Sequence, residues 1–149
     1  MKALIQRVLN GSISIEGETV SSIGRGLVIL LGVGKNDTAN EAAFLAKKTA
    51  ALRIFADKQG KLNLSLKDIG GEVLVVSQFT LYADCTNGNR PGFEPAAAPA
   101  LAKELYEHFI NLLKAQELTV KEGVFQADML VRINNDGPVT ILLERNPVI

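Results

Sequence analysis

The chain has one histidine and one cysteine in 149 residues. A single cysteine, Cys85, leaves no intrachain disulfide to form, which fits a reducing compartment. One histidine and one cysteine fall short of the usual zinc ligand sets, so no metal site is expected. No motif surrounds His108 that would support a Cys–His or Ser–His–Asp machine. His108 stands among Tyr106, Glu107 and Phe109 in a helical pattern and reads as a rim residue, while Cys85, after Ala83-Asp84, reads as small and semi-buried. An excess of charge is also missing: 16 basic residues face 16 acidic ones. Broad gripping of a nucleic-acid backbone needs a basic footprint, so DNA is not an expected partner, although local contact with one nucleic-acid end stays open. No apolar run approaches the roughly 18 residues of a membrane span. Arg7 interrupts the first apolar residues too early for a signal peptide. A cytoplasmic protein without membrane partners is the expectation. No Gly-x-Gly-x-x-Gly or phosphate-loop pattern occurs, and no cofactor is called for.

What is present is an ordinary globular balance, 47% hydrophobic and 21% charged, which predicts a single folded domain over residues 1–149. Residues 2–9 and 12–16 read as strands, and Leu27 to Val33 as a strand buried on both faces. Thr38-Ala39-Asn40-Glu41 fits a capping box, followed by Ala42, Leu45, Thr49 and Leu52 at helical spacing, with Lys47 and Lys48 on the wet side. Residues 57–60 read as a turn and 63–71 as irregular. Glu72 to Thr80 reads as a buried strand turning polar at its end. Residues 84–95 form a loop rich in Asn, Gly and Pro. A second helix is predicted from about Ala98 to Ala115, with Leu101, Leu105, Phe109 and Leu112 as its apolar stripe. Strands near 118–125, 128–134 and 139–145 close the chain, the last two separated by a turn at 134–138. The sum is an α/β domain with two main helices and a mixed or largely antiparallel β-sheet. Strict βαβ alternation is missing, which argues against a doubly wound fold.

With His and Cys so scarce, hydrolytic chemistry would rest on backbone amides, hydroxyls and the substrate's own groups. Two segments offer these. Ser77-Gln78-Phe79-Thr80 places two hydroxyls and an amide at a strand end, where a bend would let backbone N–H groups converge on a carbonyl oxygen. Its plainer reading is a strand end meeting water, with Ser77 and Phe79 on one face and Gln78 and Thr80 on the other. Asn135-Asp136-Gly137-Pro138 reads plainly as a trans hairpin turn. A cis bond before Pro138 would instead aim two carbonyls at an α-ammonium group and sense the handedness of an amino acid. A third segment, Asn87 to Phe93, carries Arg90 and Phe93, a cation and an aromatic that suit a phosphate and a base. Such loops are also common without a function.

Together these residues resemble the D-aminoacyl-tRNA deacylases. The likeness runs through Ile5-Gln6-Arg7-Val8, Leu30-Leu31-Gly32-Val33, Leu52-Arg53-Ile54-Phe55, Gly60-Lys61-Leu62-Asn63, Ser77 to Asp84, Gly88-Asn89-Arg90-Pro91 and Asn135 to Thr140. The ordered pair Ser-Gln-Phe-Thr and Asn-x-Gly-Pro-Val-Thr is its most specific part. The resemblance implies a barrel-like sheet and a homodimer. It also implies hydrolysis of the ester of D-aminoacyl-tRNA, bound by its 3′ end, with glycyl-tRNA as a further substrate and with help from the ribose 2′-hydroxyl. Ser77, Gln78, Phe79 and Thr80 are implied as the catalytic pocket, Thr80 as a positioning group rather than a nucleophile. Gly137 and Pro138, joined by a cis bond, are implied to reject L-amino acids from the partner subunit. Arg7 would orient them, Phe125 and Met129 would line the pocket, and Ala102 would lie near the terminal adenosine. The sequence departs from the pattern at Gln126, where glycine is common, at Gly92, where serine is usual, and across Leu9-Asn10-Gly11-Ser12. A related L-alanine-editing family carries Pro-Gln where Ser77-Gln78 stands. Two competing readings are a non-catalytic dimeric module binding tRNA ends or amino acids, and a metal-free esterase of small D-amino acid esters.

Overall fold

The computed structural model describes residues 1–148 of the chain. Alternating burial along Lys2–Ile15 forms one long strand, β1, where two strands were predicted. Its pairing slips between Val8 and Asn10 without ending the strand. At Gly11, on this strand, a Cβ would lie 2.8 Å from Val28 Cγ2, so the bare backbone leaves room for that side chain inside the curled sheet. A strand not anticipated from the sequence, β2 (Glu18–Ile23), folds back on the second half of β1 through the turn at Glu16-Gly17. The first half of β1 pairs antiparallel with β3 (Gly26–Gly32), the predicted strand buried on nearly every residue.

Helix α1 (Ala39–Ala51) starts at the predicted capping box, with both reciprocal bonds formed between Thr38 and Glu41. It buries Ala42, Leu45, Ala46 and Thr49 and leaves Lys47 and Lys48 exposed. A two-stranded ribbon follows, β4 (Phe55–Ala56) with β5 (Leu62–Leu64), so part of the segment expected to be irregular is paired. Strand β6 (Glu72–Ser77) lies parallel to β3 and ends three residues earlier than predicted, where Phe79–Tyr82 winds into a 3-10 turn. Helix α2 (Pro99–Lys114) has Pro99 at its first position, where the missing N–H costs nothing. Its buried face is Leu105, Tyr106, Phe109, Ile110 and Leu113. The predicted Leu101 and Leu112 sit at the margin, half-buried. Strand β7 (Thr119–Glu122) runs parallel to β6.

The last strand, β8 (Leu130–Glu144), corrects the reading of two strands joined by a hairpin. Both halves pair antiparallel with β1. Between Gln6↔Thr140 and Val8↔Asn135 the register jumps, so residues 136–139 are extruded from the ladder as a bulge. The sheet order β2-β1-β3-β6-β7, with β8 on the other side of β1, gives a nearly closed, barrel-like sheet mixing antiparallel and parallel pairs.

Two apolar clusters hold this together. One lies between the sheet and the helices and includes Ile5, Leu27, Ile29, Val75, Leu45, Phe109 and Leu113. The other fills the curl of the sheet with Val8, Ile13, Ile23, Val28, Leu74 and Val76. Each fully buried side chain of this size contributes about 1.5–3 kcal/mol. Among the described residues, no helix is long and apolar enough to cross a membrane.

Candidate functional site

The carboxyl end of β6 opens into a cavity of about 570 Å³. Ser77, Gln78, Phe79, Ala102, Phe125 and Met129 all line it, together with Gln126, Val131 and the start of α2 at Pro99. Strand ends of this kind favour ligands because the backbone turns away and leaves polar groups unpaired. Here the chain leaves the sheet after Gln78 N–H donates to Leu31 O at 2.8 Å. The 3-10 turn closes with Leu81 N–H donating to Gln78 O and Ala83 N–H to Thr80 O. The amides of Phe79 and Thr80 come before the first bond of the turn, so helical geometry gives them no acceptor within it. The alternation of side chains expected for a regular strand therefore stops at Ser77, and the bend conceived from the sequence takes its place.

Thr80 does not line the cavity itself. Its hydroxyl accepts a hydrogen bond from the Gln78 side-chain amide. His108 is not near it: that side chain lies, half-buried, in a separate depression of about 610 Å³ on the outer side of α2 with Ala39, Lys103, Glu107 and Asn111. This second hollow is slightly larger but holds none of the residues singled out for chemistry, so the cavity at the end of β6 is the candidate site. Cys85 is exposed rather than semi-buried, because the loop carrying it stands away from the core. No group of three or more His, Cys, Asp or Glu side chains suited to a metal ion occurs among the described residues.

The cavity wall has a support that sequence reading missed. Tyr106 on α2 is buried, donates from its hydroxyl to Val75 O at 2.9 Å, and packs its ring 5.9 Å from Phe125. Burial pushes its phenol well above the ordinary value, so it stays a donor. It ties α2, β6 and the cavity-lining Phe125 into one unit. A tyrosine on the buried face of a predicted helix was the available signal, because a buried phenol needs a partner. Gln126 adopts φ 64°, the left-handed region, in a turn closed by Ala127 N–H to Val124 O. That conformation is the physical reason glycine suits this position.

Gly137 and Pro138 occupy a different place. They are exposed on the β8 bulge, do not line the chain's own cavity, and are joined by a cis peptide bond, the alternative to the plain trans turn. The bulge is clamped from behind. Arg7 Nε donates to Asp136 O at 3.3 Å and lies 3.2 Å from Asp136 Oδ2, while its Nη1 donates to Ile54 O at 2.8 Å. Asn135 Nδ2 bridges Arg7 O (2.9 Å) and Val139 O (3.1 Å), restoring across the bulge contacts that the ladder has lost. Thr140 Oγ1 donates to Asn135 Oδ1 at 3.3 Å and accepts from Gln6 Nε2 at 3.2 Å. Gly137 has φ 116°, and a Cβ on it would meet Arg7 Nη2 at 2.8 Å, so conformation and space both select glycine. The single chain thus assembles one group of candidate residues at the end of β6 and another, Arg7 with Gly137-Pro138, on β1 and β8.

Known proteins resemble this chain along nearly its whole length. The chain is 56% identical over 144 residues to the D-aminoacyl-tRNA deacylase of Desulforamulus reducens, covering 97% of each protein. It is 53% identical over 148 residues to that of Thermosipho africanus, covering 99% of each. A solved structure named c-Myc DNA Unwinding Element Binding Protein superposes with a TM-score of 0.93 at 42% identity, over 99% of this chain and 100% of that one. Another, described as a probable eukaryotic D-amino acid tRNA deacylase, shares the fold with a TM-score of 0.80 at 16% identity, over 95% and 97%. The family model described as D-Tyr-tRNA(Tyr) deacylase matches residues 4–144. The chain belongs to the D-Tyr-tRNA(Tyr) deacylase family.

Proposed function

We propose that this protein hydrolyses the ester linking a D-amino acid to tRNA, and that the cavity at the end of β6 receives that ester. The observation that carries the reading is that the cavity lined by Ser77, Gln78 and Phe79 has no histidine or cysteine beside it and sits where the Phe79 and Thr80 amides precede the first bond of the 3-10 turn. Water adds to the ester carbonyl, and the two amides take the developing oxyanion. Donors placed this way contribute about 3–4 kcal/mol each when measured by removal. The tetrahedral intermediate collapses by expelling the ribose 3′ oxygen, and the neighbouring 2′-hydroxyl supplies the proton relay that the protein lacks. Thr80, its hydroxyl already bonded to the Gln78 amide, positions rather than attacks.

The chain works as a homodimer in this proposal. Gly137 and Pro138 lie outside their own cavity, and β8 leaves Leu130 and Leu142 exposed beside a free strand edge. From a partner subunit, the Gly137 and Pro138 carbonyls would hold the α-ammonium group and leave no room for an L side chain. Glycine, having no side chain to exclude, would pass, so glycyl-tRNA is a second substrate. A cytoplasmic location follows from the substrate.

Incubation with D-tyrosyl-tRNA and L-tyrosyl-tRNA tests the activity: rapid release from the D-ester alone is expected, and background-level hydrolysis of both would overturn it. A second reading, DNA binding, comes with the name of the 42% identical structure. The balance of 16 basic and 16 acidic residues weighs against it. Retardation of duplex DNA by the purified chain at physiological salt would favour it.

A further inference from the structure

The loop over residues 84–95, with its cation and aromatic, is not used by the cavity chemistry. Phe93 from this loop packs edge-on against Phe79, with ring centroids 4.9 Å apart and planes at 64°. Both rings stay open to solvent, Phe79 at 55% and Phe93 at 37% exposure. Phe79 lines the cavity. The neighbours of Phe93, Gly92 and Glu94, line a second hollow of about 280 Å³ with Lys35, Asp84, Asn87, Arg90 and Pro95. The aromatic pair therefore links a residue lining the cavity to the loop segment that lines the second hollow.

The second hollow is held in shape by backbone. Asp84 and Gly92 exchange hydrogen bonds of 2.7 and 2.9 Å, and Lys35 N–H donates to Pro95 O at 3.0 Å. Two residues further on, Ala97 N–H donates to Val33 O at 2.9 Å, and Ala97 lines the cavity. Lys35 and Arg90 make no ion pair within 4.0 Å among the described residues. Of the two carboxylates present, Asp84 is engaged by the Thr86 hydroxyl at 2.6 Å and the Thr86 amide at 2.9 Å, and Glu94 stands free.

We propose that this hollow, with the exposed face of Phe93, grips the single-stranded nucleotides that precede the terminal adenosine of a tRNA 3′ end. The proposal rests on the deacylase reading. With the aminoacylated nucleoside in the cavity, the exposed Phe79 offers the nucleotide chain an exit toward this loop. A base leaving there meets Phe93, and its phosphates meet Lys35 and Arg90. Aromatic stacking with flanking cations is the usual chemistry for holding single strands without reading their sequence.

The test compares two substrates, D-tyrosyl-tRNA and the D-tyrosyl ester of adenosine, which has no phosphate and no preceding base. In Phe93→Leu and in Lys35→Ala/Arg90→Ala, the ratio of kcat/KM for tRNA over nucleoside should fall by roughly tenfold, through KM. The double variant should also flatten the salt dependence of KM for tRNA, its logarithmic slope dropping by about 1.4 for two lost phosphate contacts. Phe93→Tyr keeps the aromatic face and should restore the ratio. An unchanged ratio, whether both substrates are affected equally or neither is, would overturn the proposal. A parallel arm measures binding of a fluorescent single-stranded RNA ending in CCA. Turnover of neither ester combined with binding that Arg90→Ala weakens would remove the deacylase reading and leave the grip standing. Binding insensitive to Lys35, Arg90 and Phe93 would remove the grip.

Discussion

At the scale of single residues, Gln126 and Thr80 give the sharpest tests. Gln126 holds φ 64° without being glycine. A side chain in that region costs on the order of 1–2 kcal/mol, and glycine's extra unfolded-state freedom returns part of it. Gln126→Gly is expected to raise the urea midpoint by an amount equivalent to about 0.5–1 kcal/mol. No change, or a fall, would mean the Gln126 side chain stabilises the cavity rim in its own right. Thr80 separates two chemistries. A nucleophile lost from such a site costs about 10³-fold or more in kcat, whereas a positioning hydroxyl costs far less. Thr80→Ala should keep kcat within about tenfold of the parent in single-turnover deacylation of D-tyrosyl-tRNA. These residues also show the limits of sequence reading. The departure at Gln126 was visible as a letter, but its backbone angle was not. Tyr106 left only a faint signal, because its partner, Val75 O, is a backbone atom 31 residues away.

At the scale of elements, local chemistry was legible and long-range pairing was not. The capping box at Thr38 and Glu41 is written in adjacent residues, and it forms as expected. The Glu41 carboxyl is held below its ordinary value of 4.5, first by the Thr38 hydroxyl, and burial opposes this in part. A carboxyl so lowered stabilises the fold fully above about pH 4.5, and that contribution disappears as pH falls through the folded-state value. Thr38→Ala should therefore cost about 1 kcal/mol near neutral pH. In denaturant titrations, its gap from the parent should narrow as pH falls below 4.5. β8 was misread for the opposite reason. Asn135-Asp136-Gly137 carries a strong hairpin signal, and only β1, far away in sequence, turns it into a bulge within one strand. In the same way, nothing local marks where β6 gives way to the 3-10 turn, because Leu31 O fixes the last sheet bond.

At the scale of the whole molecule, the candidate residues fall into two groups that one chain does not bring together. A homodimer with exchanged bulges predicts complementation. Gly137→Val spoils the bulge and leaves the cavity intact, and Ala102→Trp blocks the cavity and leaves the bulge intact. Each alone should be inactive. Subunits mixed in equal amounts should regain about a quarter of parental activity, because half the dimers are mixed and each has one sound site. Absence of rescue, with mixed dimers confirmed by mass, would place bulge and cavity of the same chain in one site. The pairing of the two motifs was legible from sequence through resemblance. Their separation in the monomer was not, since it depends on which way the long β1–β8 ladder faces.

The clamp behind Gly137 and Pro138 has a consequence for how selectivity could drift over generations. A peptide carbonyl belongs to every residue, and no codon change deletes one. If stereochemistry is read by such groups, replacing the residue that carries them removes nothing the substrate feels, provided the backbone keeps its course. What can vary is their aim, and the side chains that hold it, Arg7 and Asn135, stand behind the segment and bond to its backbone. Heritable change in the handedness the protein tolerates would then be sought at those two positions, one step removed from the substrate.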